Sequence, residues 1–313
     1  ESGQKDSVLL KKQILGKLRS KISISEAAKD LNVSNYSFYR LLNQMSDKDE
    51  FKLLPEVLCV DELKATKDCT GNMAFVAMDG QTHELITILD DRRIEALKRH
   101  FMNYKREERL KVKYLVMDMN ASYEQLIKRC FPKAQVVTDR FHVVQQLTRS
   151  FNQLRIKIMK NYETKSPEYR HMKYFWKHLL KDYDQLSEKP FYSHSFRKYT
   201  DSKSLVETII AEDEALGLAW QNLQMAMTHF KRRDAVAFFG LIEELDKEEL
   251  DEDFVKKYQF LLKKQASIKL AMTLPYSNGC LEGMNNKIKA LKRAAFGFRT
   301  FRNFRKRVFL MNI

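Results

Sequence analysis

Three short apolar runs in the first half of the chain stop at an aspartate. They are EVLCVD over 56–61, VKYLVMD over 112–118, and AQVVT over 134–138 with Asp139 next. Aliphatic and β-branched runs of this length predict strands inside a sheet. A carboxylate at the end of such a strand is exposed at the sheet rim. Between the first two runs, Met73–Met78 and Glu84–Leu89 flank the segment Asp79, Gly80, Gln81 and Thr82, a β-hairpin signal. Helices are predicted over Ile94–Tyr104, over Ser122–Cys130, and from Phe141 to about Tyr162.

The resulting order, β-β-β-α-β-α-β-α, is that of a mixed α/β, ribonuclease-H-like core. Three antiparallel strands open the sheet and parallel βα units extend it. In this order the first and fourth strands are neighbours, so Asp61 and Asp118 can converge although they are far apart in sequence. Carboxylates held together repel unless a cation lies between them, which is why such pairs recruit Mg²⁺ or Mn²⁺. Two ions would activate an attacking oxygen and stabilise a leaving one in an in-line phosphoryl displacement. Taken singly, either aspartate reads first as a turn or helix cap, and it is the set of three acids in this fold order that favours a metal site.

A third carboxylate is supplied by the stretch PYSNGCLEGMNNKIKALKR, 275–293. Pro275 and the Ser-Asn-Gly run stop what precedes, and Ser277 or Asn278 can cap a new helix. Leu281, Met284, Ile288 and Leu291 recur at helical spacing and predict a buried face. Glu282, Asn285 or Asn286, Lys289 and Arg293 follow at steps of three and four on another side. Alone, this is an amphipathic helix with a solvated polar face. With Asp61 and Asp118 it offers Glu282 as the third acid, Asn285 as support, and Lys289 and Arg293 as phosphate contacts. Glu62 would point to the opposite sheet face if its strand continues. Asp139 reads as a helix cap or as active-site support, and His142 as a phosphate contact or proton shuttle.

Upstream, Ser7–Ser20, Ser25–Leu31 and Ser34–Gln44 predict three short helices. Ala27 and Ala28 allow close approach, Leu31 and Val33 plug the junction, Asn32 tolerates a left-handed turn, and Ser34 caps the third helix. This resembles a helix-turn-helix, with Asn35, Tyr36, Tyr39, Arg40 and Asn43 placed for a major groove. A small helical bundle without DNA contact is the alternative. The expected organisation is a helix-turn-helix domain over 1–46, a linker over 47–55, a first core part over 56–162, a helical insertion over 163–272 without a fresh strand, and a second core part over 273–313. In the insertion, Leu205–Phe230 and Phe254–Leu270 read as long helices, and Trp176 and Trp220 as core residues.

Charge points the same way. The 313 residues carry a net charge of +15 with a pI of about 9.5, which favours a polyanionic partner, nucleic acid first. The excess is uneven: nine Lys and Arg and no acid lie between Gly283 and Ile313. Lys292, Arg299 and Arg302 join Lys289 and Arg293 as expected DNA contacts. Cys59, Cys69, Cys130 and Cys280 form no C-x-x-C and read as reduced thiols of a cytoplasmic protein. No apolar run is long enough to span a membrane, and no Walker or G-x-G-x-x-G loop occurs. The opening Glu1, Ser2 and Gly3 read as a cleavage scar, with natural residues expected upstream.

Together, VDEL at 60–63, VMDMNASY at 116–123, VVTDRFHVVQ at 136–145 and SNGCLEGMNNKIK at 277–289 resemble the DDE transposases of bacterial insertion sequences, closest to the group written ISL3. The resemblance implies Asp61, Asp118 and Glu282 as the catalytic, metal-binding triad, and residues 163–272 as an insertion within the catalytic domain. It implies cleavage at transposon ends and 3′-hydroxyl strand transfer into target DNA. Double-stranded DNA would be the partner, and a homodimer or higher assembly at the bacterial nucleoid would pair the ends. The family's N-terminal cysteine zinc module is absent from these residues. The alternative is a non-catalytic DNA-binding regulator or domesticated derivative on the same fold.

Overall fold

The structure is a computed structural model that describes residues 8–46, 51–119, 121–245 and 248–311. These divide into two compact units, one running to Val137 and resuming at Tyr276, the other spanning Thr138–Pro275.

The first unit opens with α1 (Val8–Arg19), α2 (Ile24–Asp30) and α3 (Asn35–Gln44). Asn32 takes a left-handed φ of 52° between α2 and α3, as its short polar side chain allows. Ser34 occupies the N-cap position of α3 without a side-chain cap bond; its hydroxyl lies 3.4 Å from that of Ser37. The small Ala27 and Ala28 are buried with Ile14, Leu18, Phe38 and Leu42. Of the linker, 47–50 lie outside the described residues; Leu54 is buried, its N–H bonded to Glu108 Oε2 at 3.2 Å.

Strands β1 (Val57–Lys64), β2 (Met73–Asp79) and β3 (Leu85–Leu89) form an antiparallel meander. The β2–β3 turn is held by Asp79 Oδ1, which accepts from the N–H groups of Gln81 and Thr82 at 2.7 and 3.2 Å. A Cβ at Gly80 would come within 2.8 Å of Val57 Cγ1 and 2.9 Å of Cys59 Sγ, so the turn packs directly on β1. Helices α4 (Ile94–Met102) and α5 (Arg106–Lys111) lead to β4 (Tyr114–Met117), and α6 (Ala121–Cys130) leads to β5 (Gln135–Thr138). The sheet order is β3-β2-β1-β4-β5, a mixed sheet in which β1 and β4 are parallel neighbours. One face is sealed by α4 and α6 through Leu58, Val60, Phe75, Phe101, Leu115 and Tyr123.

The second unit begins with α7 (Arg140–Met159), α8 (Pro167–Tyr174) and α9 (Trp176–Leu179). A two-stranded hairpin of β6 (Phe191–Ser193) and β7 (Lys198–Thr200) follows, a correction to the expectation that this region adds no strand. Three-residue strands are too short for an alternation to show in sequence. The expected helix Leu205–Phe230 is two, α10 (Ser202–Ala211) and α11 (Glu214–Lys231), because Asp213 caps the second by accepting from Leu216 N–H at 2.9 Å. Helix α12 (Ala235–Glu243) precedes α13 (Glu252–Gln259) and α14 (Gln265–Thr273), which a 3₁₀ segment over Phe260–Lys264 separates where one continuous helix was expected. Trp220 is buried and bonded to the Leu179 carbonyl; Trp176 is only half-buried.

The chain then returns to the first unit with α15 (Gly279–Ala294) and α16 (Phe301–Met311). Helix α16 closes the core of the N-terminal helices with Leu310. Its buried Lys306 donates to the Leu42 carbonyl at 2.7 Å, and its buried Arg307 to those of Ser20 and Ile22, both at 3.1 Å. Burial pushes the Arg307 guanidinium down to about 10. Part of the C-terminal basic excess is therefore internal.

Candidate active site

β1 and β4 run parallel with Val57 opposite Tyr114, Leu58 opposite Leu115 and Cys59 opposite Val116. Carried on by two residues, this register would set Asp61 opposite Asp118, which follows directly on the last residue of β4. β4 ends at Met117, whereas β1 continues to Lys64 against β2, so Asp61 lies beside the point where its other neighbour stops. The predicted strand end at Asp61 is corrected to a mid-strand position, since Glu62, Leu63 and Lys64 keep pairing with Phe75, Ala74 and Met73. Both aspartates are half-buried.

Helix α15 packs on β1. Leu281, Met284, Ile288 and Leu291 are all buried, as their spacing predicts. Asn278 takes the N-cap position, but its side chain makes no cap bond; its Nδ2 donates to the Val60 carbonyl at 3.0 Å. One heptad on, Asn285 Nδ2 donates to Asp61 Oδ2 at 2.8 Å, while Glu62 N–H donates to Asp61 Oδ1 at 2.7 Å. Glu282 lies between the two asparagines, four residues after one and three before the other, at the edge of the buried face of the helix. Its carboxylate is exposed. Lys289 and Arg293 are exposed further along the helix. Lys292 is half-buried and ties α15 to the end of β1, donating to the carbonyls of Lys64 and Ala65 at 2.7 and 2.9 Å. Burial first, then nearby Lys64, pulls its ammonium below the ordinary lysine range.

Among the described residues, no group of three or more His, Cys, Asp and Glu side chains is close enough to hold a metal ion. The donors seen together are oxygens: the Asp61 carboxylate, and beside it the buried Asn285 Oδ1, which has no hydrogen-bond partner. An all-oxygen set suits a hard divalent cation. The chemistry of these donors fits such an ion, although the acids do not converge on one point among the described residues.

Glu62 faces the other way. It accepts from the Tyr123 hydroxyl at 2.5 Å and pairs with Arg92. Burial, then that bond to Glu62, pushes the Tyr123 phenol well above its ordinary range. On the α15 face, a hydrogen bond from Cys59 outweighs burial and lowers the Cys280 thiol to about 7. No disulfide joins any of the four cysteines.

Asp139 and His142 belong to the second unit. Asp139 is buried at the N-cap of α7 without a side-chain cap bond, and His142 Nε2 lies 3.9 Å from its Oδ2. On α3, Asn35, Tyr36, Tyr39 and Asn43 are exposed and Arg40 is half-buried. Arg299 and Arg302 are exposed before and within α16. Sequence reasoning missed the Asn278 and Lys292 contacts, the Tyr123–Glu62–Arg92 cluster and the pairing of Cys59 with Cys280. For the asparagines a signal existed, namely two amides one heptad apart on the face that carries Glu282. No helix among the described residues is long and apolar enough to cross a membrane.

The chain matches the model of the ISL3 DDE family, described as a transposase, over residues 58–308. A Lactococcus lactis subsp. lactis protein named ATP-dependent protease is 32% identical over 123 residues, covering 39% of this chain and 39% of that protein. The aligned part of the chain thus spans about two fifths of the length of that curated relative. With the family model matching from β1 into α16, the chain belongs to the ISL3 family of DDE transposases.

Proposed function

We propose that the protein cuts DNA at transposon ends and joins the freed 3′ ends to target DNA, using Asp61, Asp118 and Glu282 on a ribonuclease-H-like core. The observation that supports this reading is the parallel pairing of β1 with β4, together with the Asn285–Asp61 bond that ties the Glu282-bearing helix to β1.

In the first reaction a water oxygen bonds to phosphorus as the P–O3′ bond breaks, and the 3′ oxygen leaves as a hydroxyl. In the second, that hydroxyl attacks a phosphorus of the target and displaces another 3′ oxygen. The three carboxylates would hold divalent cations, two Mg²⁺ or Mn²⁺ ions, which activate the attacking oxygen and stabilise the leaving one. Asn285 fixes the orientation of Asp61, and its own rotamer is held by burial against β1. Lys289 and Arg293, with Arg299 and Arg302, contact phosphates and position the strand. Residues 1–46 act as a helix-turn-helix on the end sequence through Asn35, Tyr39 and Arg40. Residues 163–272 form the insertion between the second and third acids, and pairing two ends calls for a homodimer or larger assembly.

The protease name of the Lactococcus lactis relative does not guide the reading, since no Walker loop for ATP occurs in these 313 residues. The test offers labelled duplexes carrying the ends of the encoding element, with Mg²⁺ or Mn²⁺, to wild type, Asp118→Ala and Glu282→Ala. The expected result is cleavage and joining by wild type only, with end binding retained by both variants. Equal cleavage by the variants would refute the triad; binding without cleavage by wild type would favour a non-catalytic regulator. Replacing Lys289 and Arg293 with Ala should flatten the salt dependence of binding by about 0.9 for each phosphate that is no longer neutralised.

A further inference from the structure

The hairpin inside the second unit has a composition unlike its surroundings. From Lys189 to Thr200 the chain reads KPFYSHSFRKYT, with three cations, one histidine, four aromatic rings and no acid. β6 and β7 pair so that Tyr192 lies directly opposite Tyr199, which puts both rings on one face of the ribbon. Their centroids are 5.4 Å apart in an edge-to-face arrangement, and the residues are 46% and 76% exposed. His194 extends the row, its ring 5.1 Å from Tyr192.

The ribbon is held firmly from elsewhere. Phe196, in the turn, stacks on His171 of α8 with ring centroids 3.9 Å apart and an interplanar angle of 13°, and lies 5.7 Å from Phe175. Ser193 is buried. The tyrosine face is thus fixed in position but left open, although a tyrosine pair of this size would ordinarily lie against a core. Its cations are also available: Lys189, Arg197 and Lys198 are exposed, with no carboxylate partner among the described residues. The flanking acids are engaged locally, Glu188 with Lys203, and Asp201 with the N-terminus of α10.

Fixed aromatic rings with uncovered faces, bordered by unpaired cations, form a stacking platform for bases on a polyanionic strand. Duplex bases hide their faces against each other, so the surface suits unpaired nucleotides. We propose that the β6–β7 hairpin binds single-stranded DNA, with Tyr192 and Tyr199 stacking on bases and Lys189, Arg197 and Lys198 following the backbone. This rests on the reading of the chain as an enzyme that acts on DNA, and adds to it a site for strand that has come unpaired.

The test uses the full chain and fluorescence anisotropy with three probes: a labelled oligothymidylate, a blunt random duplex, and oligouridylate as RNA competitor. Tyr192→Ala and Tyr199→Ala should each weaken oligothymidylate binding roughly 5- to 100-fold, as loss of one stacked base predicts. Duplex binding should stay unchanged, and Tyr199→Phe should bind like wild type, since the ring and not the hydroxyl does the stacking. Unchanged oligothymidylate affinity in the Ala variants would overturn the proposal, as would an equal fall on duplex. Preferential displacement by oligouridylate would assign the surface to RNA instead. A drop in solution mass of Tyr199→Ala would make it a contact between copies of the chain, which also overturns it. If wild type binds and cuts duplex ends while the tyrosine variants keep single-strand affinity, this inference alone fails. If wild type binds neither probe, the functional reading fails with it.

Discussion

Asn285 donates its side-chain amide to Asp61 Oδ2 at 2.8 Å, a contact between residues 224 positions apart. It joins the return helix α15 to the strand that carries the first acid, and it fixes one carboxylate oxygen without adding charge. The neighbouring Glu62 N–H holds the other oxygen at 2.7 Å. Asp61 is therefore oriented before any ligand arrives. Asn285→Ala removes one of the two bonds and should lower strand cleavage about 10- to 100-fold, the usual effect of losing a partner that orients a ligand. DNA affinity should not change. Cleavage within about two-fold of wild type would show that Asp61 needs no such support.

Asp61 and Glu62 are adjacent acids with opposite surroundings. Asp61 meets α15, while Glu62 meets Tyr123 and Arg92 on the face sealed by α4 and α6. Asp61→Ala should abolish cleavage. Glu62→Ala should leave cleavage intact and cost about 1–3 kcal/mol in urea unfolding, because the hydroxyl of the buried Tyr123 loses its acceptor. The reverse pattern would place the active face on the wrong side of the sheet.

Much of this was legible in advance, for identifiable reasons. The runs ending at Asp61 and Asp118 gave β1 and β4, and the period of Leu281, Met284, Ile288 and Leu291 set the buried face of α15. Period-two alternation also placed Glu62 away from Asp61 once the strand ran on. What stayed hidden depends on tertiary partners. Asn278 and Lys292 look like an N-cap and a surface cation, yet each bonds to a carbonyl of β1 or of the residue just after it. Lys306 and Arg307 look like part of a DNA-tracking segment, yet they are buried against the N-terminal helices. Sequence spacing reports which side of a helix a residue occupies, not which element covers that side.

Arg307 gives a sharp test of that covering. Its guanidinium satisfies the carbonyls of Ser20 and Ile22 from inside the α1–α3 core. Arg307→Ala should destabilise the protein by about 2–5 kcal/mol, through two unsatisfied carbonyls and a cavity, and Lys should not substitute for the planar fork. Thermal unfolding with an unchanged midpoint would show that α16 is dispensable to these helices.

In the second unit, Asp251 caps α13 by accepting from Phe254 N–H at 3.1 Å and pairs with Lys157 of α7. Burial alone would raise its carboxyl, but the bonds from Lys157 and Phe254 outweigh it and hold the group below the ordinary carboxylate range. A depressed folded-state value means that the stabilisation is present above the unfolded pKa and is lost as pH falls through the folded one. Asp251→Ala should therefore cost about 1–2 kcal/mol at neutral pH. The gap to wild type should close as pH drops below about 4. A gap that stays constant down to about pH 2 would separate the loss from ionisation.

Exchanging a ligand atom tests whether Asp61, Asp118 and Glu282 serve one metal-dependent reaction. Asp118→Cys replaces a hard oxygen with a soft thiolate, which binds Mg²⁺ poorly and accepts Mn²⁺ or Cd²⁺ far better. End-cleavage assays should show the variant inactive in Mg²⁺ and partly restored in Mn²⁺ or Cd²⁺, with Asp118→Ala inactive in all three. Full activity of Asp118→Cys in Mg²⁺ would contradict the claim, because Asp118 would then not be holding the ion at which the strand is cut.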